Sequence, residues 1–246
     1  MRPLVLCYHA VSDAWRHLLC VSPAAFERQL ETLIRRGYAP VSAADVLAGE
    51  GRRLHVTFDD AFASVRSALP VLERLGVPAT IFVCPGFADG GKQLRIPELD
   101  ADVEAFPAEL RTMDWSDLRE LAALPGIEIG AHTLSHLHLR RLSDAELARE
   151  VVGSRERLED ELGRPCALFA YPYGEHDERI RGAAMSAGFR AAFGLQPRGT
   201  SWRDPFRLPR VALWRGEGGR TVAFKTSAVG RSLPVTLLRR VRNAIA

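Results

Sequence analysis

Short apolar runs alternate along the chain with segments in which apolar residues repeat at helical spacing. This alternation is typical of α/β proteins built on parallel strands. The runs that predict strands are Leu4–Cys7, Leu54–Phe58, Ala79–Val83, Ile127–Gly130, Ala167–Ala170 and Arg190–Phe193. Strands of this number with helices between them fit a small barrel as well as an open doubly wound sheet, so the pattern alone leaves both architectures open.

Two of the helical segments have clear ends. In the first, which has apolar residues on one face, Ser22-Pro23 is a good start and Gly37 a good stop. The second begins with the capping box Ser143–Glu146 and is followed by Gly163, a favourable C-terminal residue.

Two further segments are irregular. Residues 65–75 share an apolar face that contains Pro70, so we expect a kink or a break there. Cys84–Met113 has no clear period and is interrupted by glycines and prolines. A loop of this length tends to be a binding element or a mobile one.

Size and charge narrow the class of protein. With 246 residues, one domain with a sizeable core is the expected organisation, and two small domains remain an alternative. An apolar fraction of 47% and a charged fraction of 26% are those of an ordinary soluble domain. The net charge of +3 is too small for charge alone to indicate a nucleic-acid partner, and we expect none.

Cysteines and apolar stretches bear on the cellular setting. The four cysteines form no CxxC pair and predict neither a zinc knuckle nor a disulfide scaffold. No stretch approaches the roughly 20 apolar residues of a membrane span. The first residues lack the longer apolar region and the cleavage site of a signal peptide. We therefore expect a reducing, cytoplasmic environment.

Two adjacent carboxylates, Asp59 and Asp60, follow the predicted strand that ends at Phe58. Such a pair alone is more typical of a solvated turn. Because Phe58 continues the strand up to the carboxylates, we expect them at the carboxyl edge of the sheet, where α/β proteins place their sites. Two like charges this close cannot both ionise freely without a positive group nearby. A cation bound by one of them would leave the other as a base.

Two histidines, His132 and His136, follow the predicted strand Ile127–Gly130. At i and i+4 on one helical turn they would point the same way and could bind one metal ion. With Asp60 they make a set that suits Zn²⁺, and also Fe²⁺, Co²⁺ or Ni²⁺. Such an ion acidifies bound water and polarises a carbonyl, and Asp59 is then a ready general base.

Other residues are weaker candidates on their own. Tyr171–Gly174 reads first as a turn, with a function only if that turn aims a backbone N–H at an oxyanion. His9 follows the first strand at the same edge, although a lone histidine is more often structural. Trp202 and Trp214 could form an acyl or sugar platform, but core packing explains them equally well. A surface or hydrogen-bonded role is the better interpretation for His17, His55, His138 and His176.

In this order, the clusters resemble the polysaccharide deacetylases of carbohydrate esterase family four, the NodB-homology domain. The resemblance runs from about Leu4 to Trp214. Thr57–Asp60 matches the family's TFDD motif, whose first Asp is the catalytic base and whose second is a metal ligand. His132–His136 matches its H-[ST]-x-x-H motif, which completes the metal site. The resemblance implies a distorted (β/α)₇ barrel of the NodB type.

The chain departs from the family pattern in two places. The arginine that often braces the base in an R-x-P-Y motif is replaced by Ala170, and Arg210 is a candidate to supply the guanidinium instead. The family's late L-x-H general acid is absent. Leu6–His9 looks like the permuted version found in poly-N-acetylglucosamine deacetylases, which makes His9 the candidate acid.

The resemblance also implies a mechanism and a substrate class. In this mechanism Asp59 would take a proton from the water that attacks the N-acyl carbonyl, and the metal ion would activate that water. The Tyr173 backbone N–H would stabilise the oxyanion, and protonated His9 would donate a proton to the leaving amine. The expected activity is removal of N-acetyl groups from an amino sugar in a polysaccharide or a carrier-linked saccharide. A non-catalytic carbohydrate-binding relative and a deformylase or other amidase remain alternatives.

The C-terminal residues form a separate pattern. We expect residues 1–232 to be the deacetylase domain and residues 233–246 to be a basic amphipathic tail. Packing of this tail against the domain is the favoured interpretation, and peripheral contact with an anionic membrane surface is the alternative.

Overall fold

The strands of the computed structural model form a closed parallel barrel. The structure describes residues 2–90, 94, 96, 99–196 and 199–232. Its strands are β1 (Leu4–Tyr8), β2 (Ala10–Val11), β3 (Cys20–Val21), β4 (Ala39–Pro40), β5 (Arg53–Phe58), β6 (Ala79–Val83), β7 (Ile127–Ala131), β8 (Leu168–Ala170), β9 (Ala191–Leu195) and β10 (Leu208–Ala212). β1 and β5 to β10 pair in the order β1-β10-β9-β8-β7-β6-β5, and pairing of β1 with β5 closes the ring. The predicted (β/α)₇ barrel is confirmed, and the open sheet is excluded.

Helices surround the barrel. They are α1 (Pro23–Arg35), α2 (Ala43–Ala48), α3 (Leu69–Leu75), α4 (Asp100–Ala105), α5 (Pro107–Leu110), α6 (Trp115–Ala122), α7 (Asp144–Leu162), α8 (Glu178–Ser186), α9 (Gly219–Lys225) and α10 (Ala228–Ser232). Short 3₁₀ helices cover Ala63–Ala68, Pro85–Phe87, Leu139–Arg141 and Pro172–Gly174.

The predicted helix ends are confirmed by their capping contacts. The Ser22 hydroxyl accepts a hydrogen bond from the Ala25 N–H at the start of α1. Ser143 and Glu146 cap α7 reciprocally, and Gly163 ends it in the left-handed conformation. The break expected at Pro70 is also present, because a 3₁₀ helix ends at Ala68 and α3 starts beside the proline.

Strand β10 was not predicted from the sequence. Its residues Leu208–Ala212 include Pro209 and Arg210, which weaken the apolar pattern by which a buried strand is recognised. Arg210 is nevertheless fully buried, and β10 is the strand that joins β9 to β1. Without this unpredicted strand, the ring would be open between β9 and β1.

Side chains alternate between the barrel interior and the helical layer, as they must on a pleated strand. In β1, Leu4, Leu6 and Tyr8 belong to the main core with the residues of α1, whereas Val5 belongs to a separate cluster with Phe82. The same alternation places Cys7, Thr57 and Arg210 inside the barrel, near the carboxyl ends of the strands. Arg210 and Thr57 contact each other there.

The remaining sequence-based expectations have different outcomes. Cys7, Cys20, Cys84 and Cys166 are buried free thiols. In the described part of the chain, no helix has the length and apolar character needed to cross a membrane. The tail of residues 233–246 lies outside the described residues, so the division at residue 232 and the membrane contact of the tail stay predictions.

Candidate active site

Two aspartates and two histidines meet at the carboxyl edge of the barrel. Asp59 and Asp60 directly follow β5, and His132 directly follows β7. The Nε2 atom of His136 lies 3.4 Å from Oδ1 of Asp60, and that of His132 lies 3.7 Å from the same oxygen. All three residues are buried. The three predicted metal ligands therefore converge around one point.

The polar atoms of this group fit a divalent metal ion. Nδ1 of His132 lies 2.8 Å from the Ala170 carbonyl oxygen, so it donates there and leaves the Nε2 lone pair facing Asp60. Among the described residues, buried Oδ1 of Asp60 has no hydrogen-bond partner. An acceptor buried without a donor is costly, and a cation satisfies it. Two imidazoles and a carboxylate are a donor set that zinc and related metals prefer.

Burial shifts the pKa values of all three predicted ligands. Burial raises the pKa of Asp60 well above its usual value, and the charge of Asp59 raises it further. Burial lowers the pKa of His132, and it lowers that of His136 well below the usual value. Both imidazoles are therefore neutral near pH 7, as metal coordination requires.

The loop that carries the histidines is not a helical turn, so the predicted local structure was wrong. Thr133 and His136 have φ angles of 64° and 58°, in the left-handed region. The Thr133 hydroxyl accepts a hydrogen bond of 3.0 Å from the His136 N–H inside this turn. The two imidazoles still face the same aspartate, because the irregular turn brings their rings to a centroid distance of 5.0 Å.

Strained backbone is concentrated around this group. In the described residues, the non-glycine residues with positive φ are Asp60, Ala61, Thr133, His136 and Tyr173. Such conformations cost free energy and cluster at functional sites, where the surrounding structure holds them.

Glu150 of α7 holds the histidine loop from outside. Its carboxylate accepts hydrogen bonds from the Ser135 N–H at 2.9 Å and the Ser135 hydroxyl at 2.5 Å. Its backbone carbonyl accepts the Leu134 N–H at 3.0 Å. The long helix thus fixes the segment between the two histidines at several points.

Asp59 is held by Arg210 of β10, which is separated from β5 by β1 alone. Nη1 and Nη2 of Arg210 donate to the two carboxylate oxygens of Asp59 at 2.6 Å and 2.9 Å, and Nη1 also contacts the Thr57 hydroxyl at 3.1 Å. Cys7 Sγ donates to Oδ2 of Asp59 at 3.4 Å. Burial alone would raise the pKa of Asp59, but Arg210, followed by His132, outweighs burial and holds it well below the usual value.

His9 directly follows β1 and lies beside Asp59. Its ring stacks on Trp214, with centroids 6.0 Å apart and planes 23° apart. One ring nitrogen of His9 lies within 4.8 Å of a carboxylate oxygen of Asp59 and of Cys7 Sγ. Burial lowers the pKa of His9 to about 4, so the imidazole is neutral at pH 7. The imidazolium assumed in the sequence analysis is therefore not the resting state.

Tyr173 forms the wall beside His136. It sits in the 3₁₀ turn Pro172–Gly174 with a φ of 57°. Its ring stacks on His138 at a centroid distance of 3.9 Å and meets the edge of His136 at 4.8 Å. His138, for which a surface or hydrogen-bonded role was expected, also has its Nδ1 atom 3.3 Å from Oε2 of Glu175, within hydrogen-bond distance.

Trp202 is not brought together with the other candidates. It packs on an apolar cluster that includes Val5 and Leu208, at the amino ends of the barrel strands. The proposed site follows the carboxyl ends of these strands. The expectation that Trp202 contacts the same substrate as Trp214 is therefore not supported by its position.

Comparison with known proteins gives the family. Residues 48–192, more than half of the chain, match the sequence model described as polysaccharide deacetylase. The chain belongs to the polysaccharide deacetylase family. Chitin deacetylase 1 of Cryptococcus neoformans var. grubii is 29% identical over 83 residues, which are 34% of this chain and 18% of that protein. The chain thus matches less than a fifth of the length of this relative.

Solved structures of deacetylases share the fold. The deacetylase PplD of Streptococcus pyogenes, solved in complex with acetate, has a TM-score of 0.73 at 18% identity, over 95% of this chain and 99% of that one. IcaB of Ammonifex degensii has a TM-score of 0.70 at 23% identity, over 86% of this chain and 91% of that one. At such low identity these similarities establish the barrel fold only.

This member of the polysaccharide deacetylase family also has site residues that the sequence alone did not indicate. Cys7 and Thr57 contact the Asp59–Arg210 pair, and Glu150 holds the histidine loop. Strand alternation could have indicated Cys7 and Thr57, because each lies two residues before a candidate catalytic residue. No sequence signal indicated Glu150, whose role depends on how α7 packs.

Proposed function

We propose that this member of the polysaccharide deacetylase family is a metal-dependent hydrolase that removes N-acetyl groups from an amino sugar. The proposed substrate is a polysaccharide or a saccharide intermediate on a carrier. One observation carries the proposal: the ligand set Asp60, His132 and His136 lies directly beside Asp59, a carboxylate kept ionised by Arg210. A non-catalytic relative would not need to keep both features.

Asp60, His132 and His136 would hold the ion, with Zn²⁺ as our first choice and Co²⁺, Ni²⁺ or Fe²⁺ as alternatives. When bound, a divalent ion of this kind acidifies water and polarises a carbonyl. The buried position of the three ligands keeps the group at low dielectric, where electrostatic stabilisation of developing charge is strongest.

Asp59 is the proposed general base. Its carboxylate is ionised over the whole range in which the protein would act, because Arg210 lowers its pKa. A carboxylate with a low pKa is a weak base, so it removes a proton only from water that is already acidified. The bidentate contact with Arg210 fixes its orientation, which is what proton transfer at hydrogen-bond distance needs.

His9 is the proposed general acid. The neutral ring at rest cannot donate the extra proton that the leaving amine requires. Negative charge that develops on the substrate beside the ring raises the pKa of His9, because an opposite charge favours the protonated form. The proton that Asp59 takes from water passes to the His9 ring, one nitrogen of which lies within 4.8 Å of an Asp59 oxygen, and from His9 to the leaving amine. The stack on Trp214 keeps the ring in place.

Tyr173 and Trp214 are the proposed substrate contacts. The backbone N–H of Tyr173 is our candidate donor to the oxyanion, and its left-handed conformation sets the direction of that group. Trp214, stacked on His9, provides an aromatic face suited to a sugar ring. An N-acetylated sugar is favoured as substrate because the protein resembles a chitin deacetylase in sequence.

The test combines acetate release with metal analysis. Metal-replete protein is incubated with a panel of free, polymeric and carrier-linked N-acetyl sugars. We expect acetate from at least one of them, with loss of activity on chelation and recovery on adding Zn²⁺ or Co²⁺. Formate release from an N-formyl sugar without acetate release would replace the deacetylase with a deformylase.

Matched variants separate binding of the ion from chemistry. Asp59→Asn should retain wild-type metal content but lose most activity, roughly 10²-fold or more. His132→Ala should lose both metal and activity. His138→Ala is the control, because His138 pairs with Glu175 and should leave metal content unchanged. Wild-type metal content in His132→Ala would remove that residue from the site.

A further inference from the structure

The barrel has a second cavity at the end opposite the candidate active site. Its volume is about 630 Å³. It is lined by Pro3, which precedes β1, by Arg190, which precedes β9, and by Leu208, the first residue of β10. These positions are the amino ends of the strands, so the length of the barrel separates the cavity from the metal-ligand group.

Three exposed arginines line this cavity. Arg2, Arg190 and Arg203 are all exposed, and none of their guanidinium groups forms an ion pair or a hydrogen bond with another described residue. Arg190 is close enough to Glu128 to reduce the rise in that carboxyl's pKa that burial causes. Glu50 is the one carboxylate among the described residues that line the cavity. The charge balance therefore favours an anion.

Apolar side chains also line the cavity. Trp202 packs partly buried against a cluster that contains Leu208 and Val46, and the end of α2 adds Leu47. Guanidinium groups and apolar side chains around one cavity suit a ligand that has both a charged and an apolar part. The planar guanidinium of arginine can donate two parallel hydrogen bonds to phosphate oxygens, whereas the ammonium of lysine acts as a point charge.

The C-terminal segment is positively charged, as the cavity is, and is therefore not a candidate ligand for the cavity. Arg231 of α10 donates to the backbone carbonyls of Arg2 and Pro3 at 3.4 Å and 3.0 Å, so the chain reaches residue 232 beside the cavity. Residues 233–246 contain three more arginines and no aspartate or glutamate. Their charge has the same sign as that of the cavity.

We propose that this cavity binds a phosphate group that is attached to an apolar moiety. Arg2, Arg190 and Arg203 hold the phosphate oxygens, and the surface of Trp202, Leu47 and Leu208 covers the apolar part. This site is separate from the deacetylase chemistry, because none of its residues lies at the carboxyl edge of the barrel.

Calorimetric titration of the metal-replete full chain tests the proposal with three probes. They are inorganic pyrophosphate, dihexanoyl phosphatidic acid below its micellar concentration, and dihexanoyl phosphatidylcholine as the zwitterionic match. We expect phosphatidic acid to bind and phosphatidylcholine to bind at least about tenfold more weakly. Pyrophosphate binding as strong as that of phosphatidic acid would show that the apolar part contributes nothing and would overturn that half of the proposal, whereas weaker binding of pyrophosphate supports it.

Two triple variants with the same change in charge locate the binding. Arg2→Gln/Arg190→Gln/Arg203→Gln should weaken phosphatidic acid at least about tenfold and leave acetate release from a soluble substrate unchanged. The control is Arg28→Gln/Arg149→Gln/Arg220→Gln, which alters exposed arginines on α1, α7 and α9 and should bind as the wild type does. Equal binding to both triple variants, no binding of either phosphate probe to the wild type, or equal binding of phosphatidylcholine overturns the proposal.

Discussion

Asp59 shows how a few neighbours decide the chemistry of one side chain. It is adjacent in sequence to Asp60, yet their pKa values are shifted in opposite directions. The difference comes from Arg210, whose two-point contact favours ionised Asp59 more strongly than burial opposes it. Asp60 has no such partner among the described residues and is thus left for a cation.

Arg210→Lys tests the contact that orients Asp59. Lysine keeps a positive charge but cannot form the two parallel hydrogen bonds of the guanidinium. We expect kcat to fall about 10- to 100-fold and the pKa of Asp59 to rise toward its usual value. Because the base must be ionised, the acidic limb of the kcat–pH profile should move to higher pH.

Arg207→Lys is the matched control for this substitution. Arg207 precedes β10 and donates to the Gly199 carbonyl on the surface, away from Asp59. It should leave both kcat and the pH profile unchanged. A wild-type pH profile in Arg210→Lys would show that the arginine does not set the protonation of the base.

The sequence predicted Asp59, Asp60, His132 and His136 because each lies in a short motif next to a recognisable strand. Arg210 was inferred only from the absence of the usual arginine at position 170. Its contact with Asp59 joins residues 151 positions apart, and such a contact depends on the register of strands that local patterns do not give.

At the scale of elements, the loop after β7 is shaped by its neighbours and not by its own helix propensity. The spacing of His132 and His136 is that of a helical turn, and this led to a wrong local prediction. Glu150 of α7 fixes Ser135 between Thr133 and His136, the two residues with positive φ angles, and so helps to hold this turn. The spacing of residues along the sequence gives no information about tertiary contacts of this kind.

Glu150→Gln should therefore weaken metal binding without removing a ligand. The amide cannot accept both hydrogen bonds from Ser135, so the loop is held less firmly. Loss of such a supporting contact costs about 10- to 100-fold in metal affinity. Competition with a chromophoric chelator measures the affinity directly.

Glu156→Gln is the control on the same helix. Glu156 is exposed, and the change alters charge by the same amount. Its metal affinity should equal that of the wild type. If Glu150→Gln has the same affinity as this control, the loop does not need the contact.

At the scale of the whole molecule, the closed barrel buries several histidines together. Burial lowers the pKa of His9 and His55 to about 4 and also lowers those of His132 and His136. His55 is far from the metal group and bonds to the Val41 carbonyl and the Thr80 hydroxyl, as the hydrogen-bonded role expected for it requires.

These shifts predict a loss of stability on acidification. At His9 and His55 the unfolded chain takes up protons near pH 6.5 and the folded protein only near pH 4, so their contribution to stability is present above pH 6.5 and is lost as pH falls. The raised pKa of Asp60 opposes this loss for one proton. In His55→Gln, the fall in unfolding free energy between pH 6 and pH 5 should be about 1 kcal/mol smaller than in the wild type. Urea unfolding of the chelator-treated proteins measures this, and an equal fall in both would contradict it.

The closure of the ring by β10 has a consequence for the timing of biosynthesis. β1 is the first barrel strand to leave the ribosome, and β10, which pairs with it, is the last. Asp59 and the metal ligands are all synthesised before Arg210. A nascent chain that has exposed its motifs still lacks the partner that keeps its base ionised and aligned. We therefore expect fragments that end before residue 210 to lack the proposed activity even where Asp60, His132 and His136 are intact.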